Sequence, residues 1–225
     1  MPDATSRAAD RPVVALLAAA AVVALVTVGL VVRFGLVPPP ALEPVDDATR
    51  PDVALAISGW RDDQRAQCIH VVEVDGTVRE LRCAMDGGPL VGWDERGILV
   101  LRFGPTGERL DVIDPATGAV VESSATDPDV RMPGEWGAML DVRRDGRMLV
   151  VRDDEGSVRW EVEAPDSYRI NATARDARTG TVALLDEAGR LLVLPAGADA
   201  PRVWVEDVGA RYGELVWQGT APASD

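Results

Sequence analysis

Residues 12 to 32 read PVVALLAAAAVVALVTVGLVV, and this run limits the chain more than any other feature. No charged residue occurs from Val13 to Val32, and Thr27 is the only polar side chain. Twenty helical residues at ~1.5 Å each span ~30 Å, the thickness of a bilayer's hydrocarbon layer. A soluble core helix seldom stays uncharged for so long. The run therefore predicts one transmembrane helix over 12–33, with 1–11 as a cytoplasmic tail. A cleaved signal peptide is the alternative. Its apolar region is usually shorter, and an A-x-A site is expected after it. Here Arg33 and Phe34 follow instead, which favours an uncleaved signal anchor. Arg7 and Arg11 before the run, against Arg33 after it, bias the N-terminus towards the cytoplasm.

Past the anchor, residues 37 to 52 read VPPPALEPVDDATRPD, with five prolines and four acids. Such a stretch favours extended polyproline II geometry at ~3.1 Å per residue. It reads as a Pro-rich acidic stalk over 34–52, ahead of a head over 53–220 and a flexible tail over 221–225. As a free spacer, the stalk would hold that head up to ~45 Å from the bilayer.

QCIHVVEVDGTVRELRC, residues 67 to 83, holds both cysteines and the only histidine. Asp75-Gly76 predicts a two-residue type I′ hairpin turn, because Gly accepts positive φ and Asp tolerates it. Pairing Val74 with Thr77 places Cys68 opposite Cys83. Opposed Cα atoms lie ~4.5–5.5 Å apart, within disulfide reach. Counting outward from such a turn makes this a hydrogen-bonded pair, the less comfortable site for a bridge unless a bulge shifts the register. Free thiols and a metal site are the other readings. Zinc needs about four ligands, and Cys68, Cys83 and His70 supply three without a C-x-x-C. A disulfide persists outside the cytoplasm, so it agrees with the charge bias in placing the head beyond the membrane.

The head carries almost no helical periodicity. Short apolar runs recur, broken by Gly, Asp and Pro, and predict an all-β fold. Four hairpin patterns stand out: CIHVVEV-DG-TVRELRC, GILVLRF-GPTGE-RLDVID, GRMLVVR-DDEG-SVRWEVE and TVALLD-EAG-RLLVLPAG. Their turns fall near 75, 106, 155 and 188, at intervals of about 31, 49 and 33 residues. Strand units recurring at this spacing point to propeller blades. The segments near VALAISGW and ELVWQG would complete one blade together. The expected architecture is a small β-propeller-like or β-meander ectodomain of about four repeats. Trp60, Trp93, Trp136, Trp160, Trp204 and Trp217 all fall in it. They read first as packing between units. Within the long interval, Met132 and Trp136 of ATDPDVRMPGEWG are candidate partner contacts.

DVIDPATGAVVE resembles the strand-turn segment of PQQ-type and YVTN-type propeller repeats, and LVVRDDEGSVRWEVE is similar to a WD40 hairpin. The resemblance implies a ligand- or protein-binding β-propeller-like fold over 53–220 and carries no catalytic residue with it.

A formal net charge of -14, with all 23 basic residues arginine, argues against a nucleic-acid partner and against lying flat on anionic lipid. One histidine and no H-E-x-x-H, G-x-S-x-G, Walker A or G-x-G-x-x-G motif leave little recognisable enzymology. Acidic turns such as DDEGS lack calcium-loop spacing. No cofactor or metal is expected. Two functions remain. One is a membrane-anchored extracytoplasmic binding or scaffold module, held in lipid by its helix and meeting a protein or cell-envelope partner. The other is an anchored envelope enzyme, such as a glycan hydrolase using paired carboxylates like Asp62-Asp63 or Asp153-Asp154.

Overall fold

A computed structural model of the chain describes residues 40–60, 66–84, 87–105, 107–125, 141–145, 148–153, 155–165 and 167–220. The apolar run at 12–33 and the candidate contacts Met132 and Trp136 lie outside the described residues. Among the described residues no helix is long and apolar enough to cross a membrane. All the strands belong to one compact unit, Pro40–Ala164 with Tyr168–Asp225.

The strands are β1 (Leu55–Trp60), β2 (Gln67–Val72), β3 (Val78–Ala84), β4 (Leu90–Asp94), β5 (Gly97–Gly104), β6 (Gly107–Ile113), β7 (Val120–Ala125) and β8 (Asp141–Asp145). They continue with β9 (Met148–Arg152), β10 (Val158–Glu163), β11 (Ile170–Arg175), β12 (Val182–Asp186), β13 (Leu191–Leu194), β14 (Arg202–Val205) and β15 (Gly213–Trp217). They form four antiparallel sheets. Sheet I runs β15-β1-β2-β3, sheet II β4-β5-β6-β7, sheet III β8-β9-β10 and sheet IV β11-β12-β13-β14. The all-β expectation holds. So does the pairing of the two end segments: β1 and β15 register from Leu55 opposite Trp217 to Gly59 opposite Gly213.

Alternation along the strands sorts the core. Leu55, Ile57, Val72 and Trp217 turn one face of sheet I to sheet IV, where they meet Leu185, Val193 and Trp204. Ala56, Ile69, Val71 and Val216 turn the other face to sheet II and pack on Leu90, Trp93, Ile98 and Val100. Trp160 and Val151 join sheet III to Leu184 and Leu192 of sheet IV. Trp93, Trp160, Trp204 and Trp217 are thus inter-sheet packing residues, each 7% exposed or less, whereas Trp60 is 46% exposed. Sheets pack in the order II–I–IV–III. A fourth cluster, Val91, Leu99, Leu101, Leu110 and Val112, comes from sheet II alone. Among the described residues no core cluster joins sheet II to sheet III, and a closed propeller is not shown.

All four predicted hairpins form, but two details differ from expectation. The turn at 75 is a three-residue loop. Glu73 N–H donates to Thr77 O at 2.9 Å and Gly76 N–H to Glu73 O at 2.8 Å, with Gly76 at φ 87°. The same construction recurs at Asp153–Ser157 and Asp186–Arg190, where Gly156 and Gly189 take positive φ. It is the three-residue hairpin whose last loop position demands glycine. The longer loop displaces the register by one, to His70 opposite Glu80, and a bulge between Ile69 and His70 restores Cys68 opposite Cys83. The second difference concerns the repeat. Turns near 106, 155 and 188 join the second and third strands of their sheets, whereas the turn at 75 joins the third and fourth. The C-terminal β15 takes first place in sheet I and pushes that hairpin outward, so the 31-residue interval did not compare equivalent turns.

Cys68 and Cys83 form a disulfide with Cα atoms 4.0 Å apart. That separation suits the close, non-hydrogen-bonded type of opposed pair rather than the wide type. The bulge supplies it. With both cysteines changed to alanine, the ~15-residue loop loses its tether and unfolding free energy should fall by about 3 kcal/mol. Urea titration of oxidised, reduced and double-variant protein checks this; the last two should coincide.

The proline-rich segment is docked from residue 40 onward. Val45 N–H donates to Val203 O at 2.9 Å and Val203 N–H to Glu43 O at 2.8 Å, so Glu43–Val45 caps the outer edge of β14. Arg202 pairs with Glu43 at 3.1 Å, and Arg190 Nη1 donates to Pro40 O at 2.9 Å. Leu42 packs on the sheet III–IV core and Val45 on the sheet I–IV core. Covering an edge strand in this way blocks stray pairing.

Candidate binding surface at the seam of sheets I and II

The seam between sheets I and II is apolar along most of its length and turns polar towards one end. Strand register shows why. Ala56 and Val216 face sheet II, so two residues further along, Ser58 and Glu214 face the same way, directly opposite each other. Ser58 also stands opposite Ile69, and Ile69 opposite Arg82. One row of the seam therefore reads Glu214–Ser58–Ile69–Arg82. The next begins with Tyr212, whose carbonyl accepts from Trp60 N–H at 3.2 Å. Trp60 stands opposite Gln67 and Gln67 opposite Ala84, so the last row reads Tyr212–Trp60–Gln67–Ala84.

The rings of this last row project into solvent. Trp60 and Tyr212 are 46% and 58% exposed. Gly59 and Gly213 permit the strands to meet here. A Cβ on Gly59 would lie 2.6 Å from Tyr212 O, and one on Gly213, at φ 158°, would strike the Ser58 carbonyl.

Beside these rows the seam leaves a small cleft of about 20 Å³. The buried Ile69, Val100 and Ile113 and the exposed Val120 border it with hydrocarbon; Gln67, Arg82, Arg102 and Asp111 bring polar groups. Gly88 lies in its lining. A side chain there would run into the Leu101 carbonyl, and Leu101 N–H donates to Pro89 O at 3.0 Å, which clamps the loop onto β5. Gln67 is committed to the fold, donating from Nε2 to Ser58 Oγ at 2.6 Å. Asp111 is committed too: it is 2% exposed and accepts from Arg102 Nη1 at 3.1 Å and from Ser123 Oγ. Arg82 differs. It is half-buried and has no hydrogen-bond or ion-pair partner among the described residues.

Glu214 lies in the inner row. Burial raises its pKa above the ordinary value, while a hydrogen bond from Ser58 pulls the other way. Its Oε2 is buried without a hydrogen-bond partner. A carboxyl whose folded pKa is raised binds its proton more tightly when folded. Stability is then highest below the unfolded pKa and falls as pH rises through the folded value. Glu214→Gln should remove that dependence. It should stabilise the protein at pH 8 by about 1 kcal/mol, the scale of one unsatisfied buried group, and change nothing at pH 4. Thermal melts at the two pH values check both halves.

The remaining predicted positions fall elsewhere. The disulfide and His70 share a face of β2, as expected, on the sheet IV side of sheet I. His70 is 4% exposed, with Nε2 at 3.6 Å from Glu80 Oε2. Cys68, Glu80 and Cys83 have potential ligand atoms within 4.8 Å of one another. With both sulfurs bonded to each other, that group has no thiolate to give a metal. Asp153 is spent on its own turn, accepting from Glu155 and Ser157 N–H at 3.1 and 2.8 Å. Asp62, Asp63 and Asp154 lie outside the described residues.

None of the cleft residues was singled out in the sequence. The register of the first hairpin places Arg82 opposite Ile69, but which sheet covers that face follows from β15 entering sheet I. No local signal announces that. The chain matches no protein-family model, and no curated protein matches it.

Proposed function

We propose that the chain is a single-pass, membrane-anchored, extracytoplasmic β-propeller-like module that binds a protein or cell-envelope partner and has no catalytic role. The disulfide supports the compartment: a bridge such as Cys68–Cys83 survives in an oxidising space. The uncharged run at 12–33 supports the anchor. Propeller-like organisation is supported by four antiparallel sheets and by the N-terminal β1 seated against the C-terminal β15.

The observation that carries the binding reading is the exposed aromatic pair Trp60 and Tyr212, 46% and 58% exposed where β1 ends and just before β15 begins. Large exposed rings held at the end of a packed sheet suit a contact surface. Quantitative envelope pull-downs with the full chain and with a Trp60→Ala, Tyr212→Ala double variant test the proposal. Partners enriched by the parent should fall at least tenfold with the variant. An unchanged set of partners would contradict it.

The hydrolase reading draws on Glu214, a carboxyl with a raised pKa in the seam. Glycoside hydrolysis needs a second carboxylate free to act. Asp111, the acid in the cleft lining, is held by Arg102 and Ser123, so binding is the better supported reading.

A further inference from the structure

We propose that the β2–β3 hairpin carries a redox-gated zinc site. It is closed while Cys68 and Cys83 are joined, and once they are reduced it takes the metal through Cys68, His70, Glu80 and Cys83.

Strand register gathers these four residues. Cys68 stands opposite Cys83, and in the neighbouring row His70 stands opposite Glu80. Cys68 and His70 share a face of β2 because they are two residues apart. Glu80 and Cys83 are three apart and would ordinarily point to opposite faces. The bulge corrects this. It leaves Leu81 without an opposed residue, and Leu81 and Arg82 both turn towards sheet II. Glu80 and Cys83 are thereby left together on the other face. Cys68, Cys83 and His70 alone make three ligands; Glu80, brought in by the bulge, is the fourth.

The atoms follow the register. The two sulfurs and a carboxylate oxygen of Glu80 lie within 4.8 Å of one another. His70 Nε2 is 3.6 Å from Glu80 Oε2. Around a tetrahedral zinc, bonds of ~2.0–2.3 Å set neighbouring ligand atoms about 3.3–3.8 Å apart. Modest side-chain rotations reach that geometry once the sulfur–sulfur bond is open. Two thiolates, an imidazole and a carboxylate suit zinc, whereas magnesium and calcium call for oxygen alone. Access is one-sided. Cys68 and His70 are buried, but the Glu80 side chain is 45% exposed and Cys83 lies on the outermost strand of sheet I. A cation therefore enters from the β3 side onto a fixed floor.

A dithiol reductant opens the gate. It gives two electrons and two protons to the bridge, becomes a disulfide itself, and leaves Cys68 and Cys83 as thiols. Zinc binds as those thiols release their two protons to solvent. Exchange with an oxidised dithiol runs the sequence backwards and expels the metal.

The test uses the full chain in lipid nanodiscs, either oxidised or reduced with a phosphine under argon, and zinc in competition with a chromophoric chelator. The reduced chain should take up a single zinc and melt at a higher temperature with it; the oxidised chain and the Cys68→Ala, Cys83→Ala double variant should do neither. Cobalt(II) in place of zinc should show thiolate charge-transfer bands and the intense visible absorption of a tetrahedral ion. Glu80→Ala should weaken zinc binding by about tenfold or more, since losing a group that merely supports a ligand already costs about 10–100-fold. His70→Gln should do the same, and Glu80→Ala, at an exposed side chain, reads the site even if His70→Gln disturbs the buried face of β2. Zinc held equally well by Glu80→Ala would mean a bare pair of thiols and overturn the site. Zinc taken up by the oxidised chain, or refused by the reduced one, would overturn it as well.

Discussion

Asp186→Ala should lower the unfolding free energy by about 3–5 kcal/mol, because it leaves a buried guanidinium without its counter-charge. Asp186 is fully buried at the end of β12. Its Oδ2 accepts from Arg190 Nε at 2.8 Å and from the Tyr168 hydroxyl at 3.1 Å. Its Oδ1 accepts from the backbone N–H groups of Ala188 and Arg190 at 3.0 and 2.9 Å and so shapes the β12–β13 turn. One carboxylate thus organises a turn, an ion pair and a phenol that burial holds protonated well above its ordinary pKa. Arg190 also reaches Pro40 O, so the loss would spread to the docked segment. Tyr168→Phe removes the hydroxyl that donates to Asp186 and accepts from Arg190 but leaves the ion pair in place, and should cost only about 1–2 kcal/mol. Urea unfolding of the two variants checks the ranking. Equal losses would show that the carboxylate is not the organising group.

Trp217→Ala should cost about 3–5 kcal/mol, the range for emptying a large buried aromatic site. Trp217 is 1% exposed on β15, opposite Leu55 of β1. Its ring stacks on Trp204 of sheet IV with centroids 5.9 Å apart and planes 15° apart. Its Nε1 donates to Ala174 O on β11 at 3.1 Å. The side chain therefore fastens β15 to sheet IV at two points, on β14 and on β11, and removing it also strands a carbonyl. Trp217→Phe restores most of the volume and should recover more than half of the loss. If Trp217→Ala melted like the parent, β15 could not be the strand that completes sheet I.

The parts of this fold legible in the sequence are those fixed by local chemistry. Gly76, Gly156 and Gly189 occupy turn positions that demand positive φ, and each sits between strand-forming runs, so three hairpins announce themselves. The opposition of Cys68 and Cys83 follows from the turn and survives a wrong loop length because a bulge compensates. Long-range placement is another matter. That β15 enters sheet I ahead of β1 was anticipated as a closing pair, but its effect on the repeat was not: it moves the first hairpin outward by one strand. Residues 40–46 read as a free spacer because proline and acids suggest extension. An extended segment is equally suited to capping an edge, and Val203 supplies the donor and acceptor it needs. The cleft was illegible for a similar reason. Arg82 and Val100 are ordinary strand residues until sheets I and II pack face to face. Met132 and Trp136, the contacts chosen from sequence, remain candidates beside Trp60 and Tyr212.

The central claim is that the head works outside the cytoplasm, tethered through 12–33. A cysteine introduced at Ser124, on the exposed strand β7, gives the most direct test when intact cells are treated with a membrane-impermeant maleimide. The account predicts that the new thiol is labelled before lysis, while Cys68 and Cys83 react only after reduction. Labelling of Ser124→Cys that appears only once the cells are broken would contradict it.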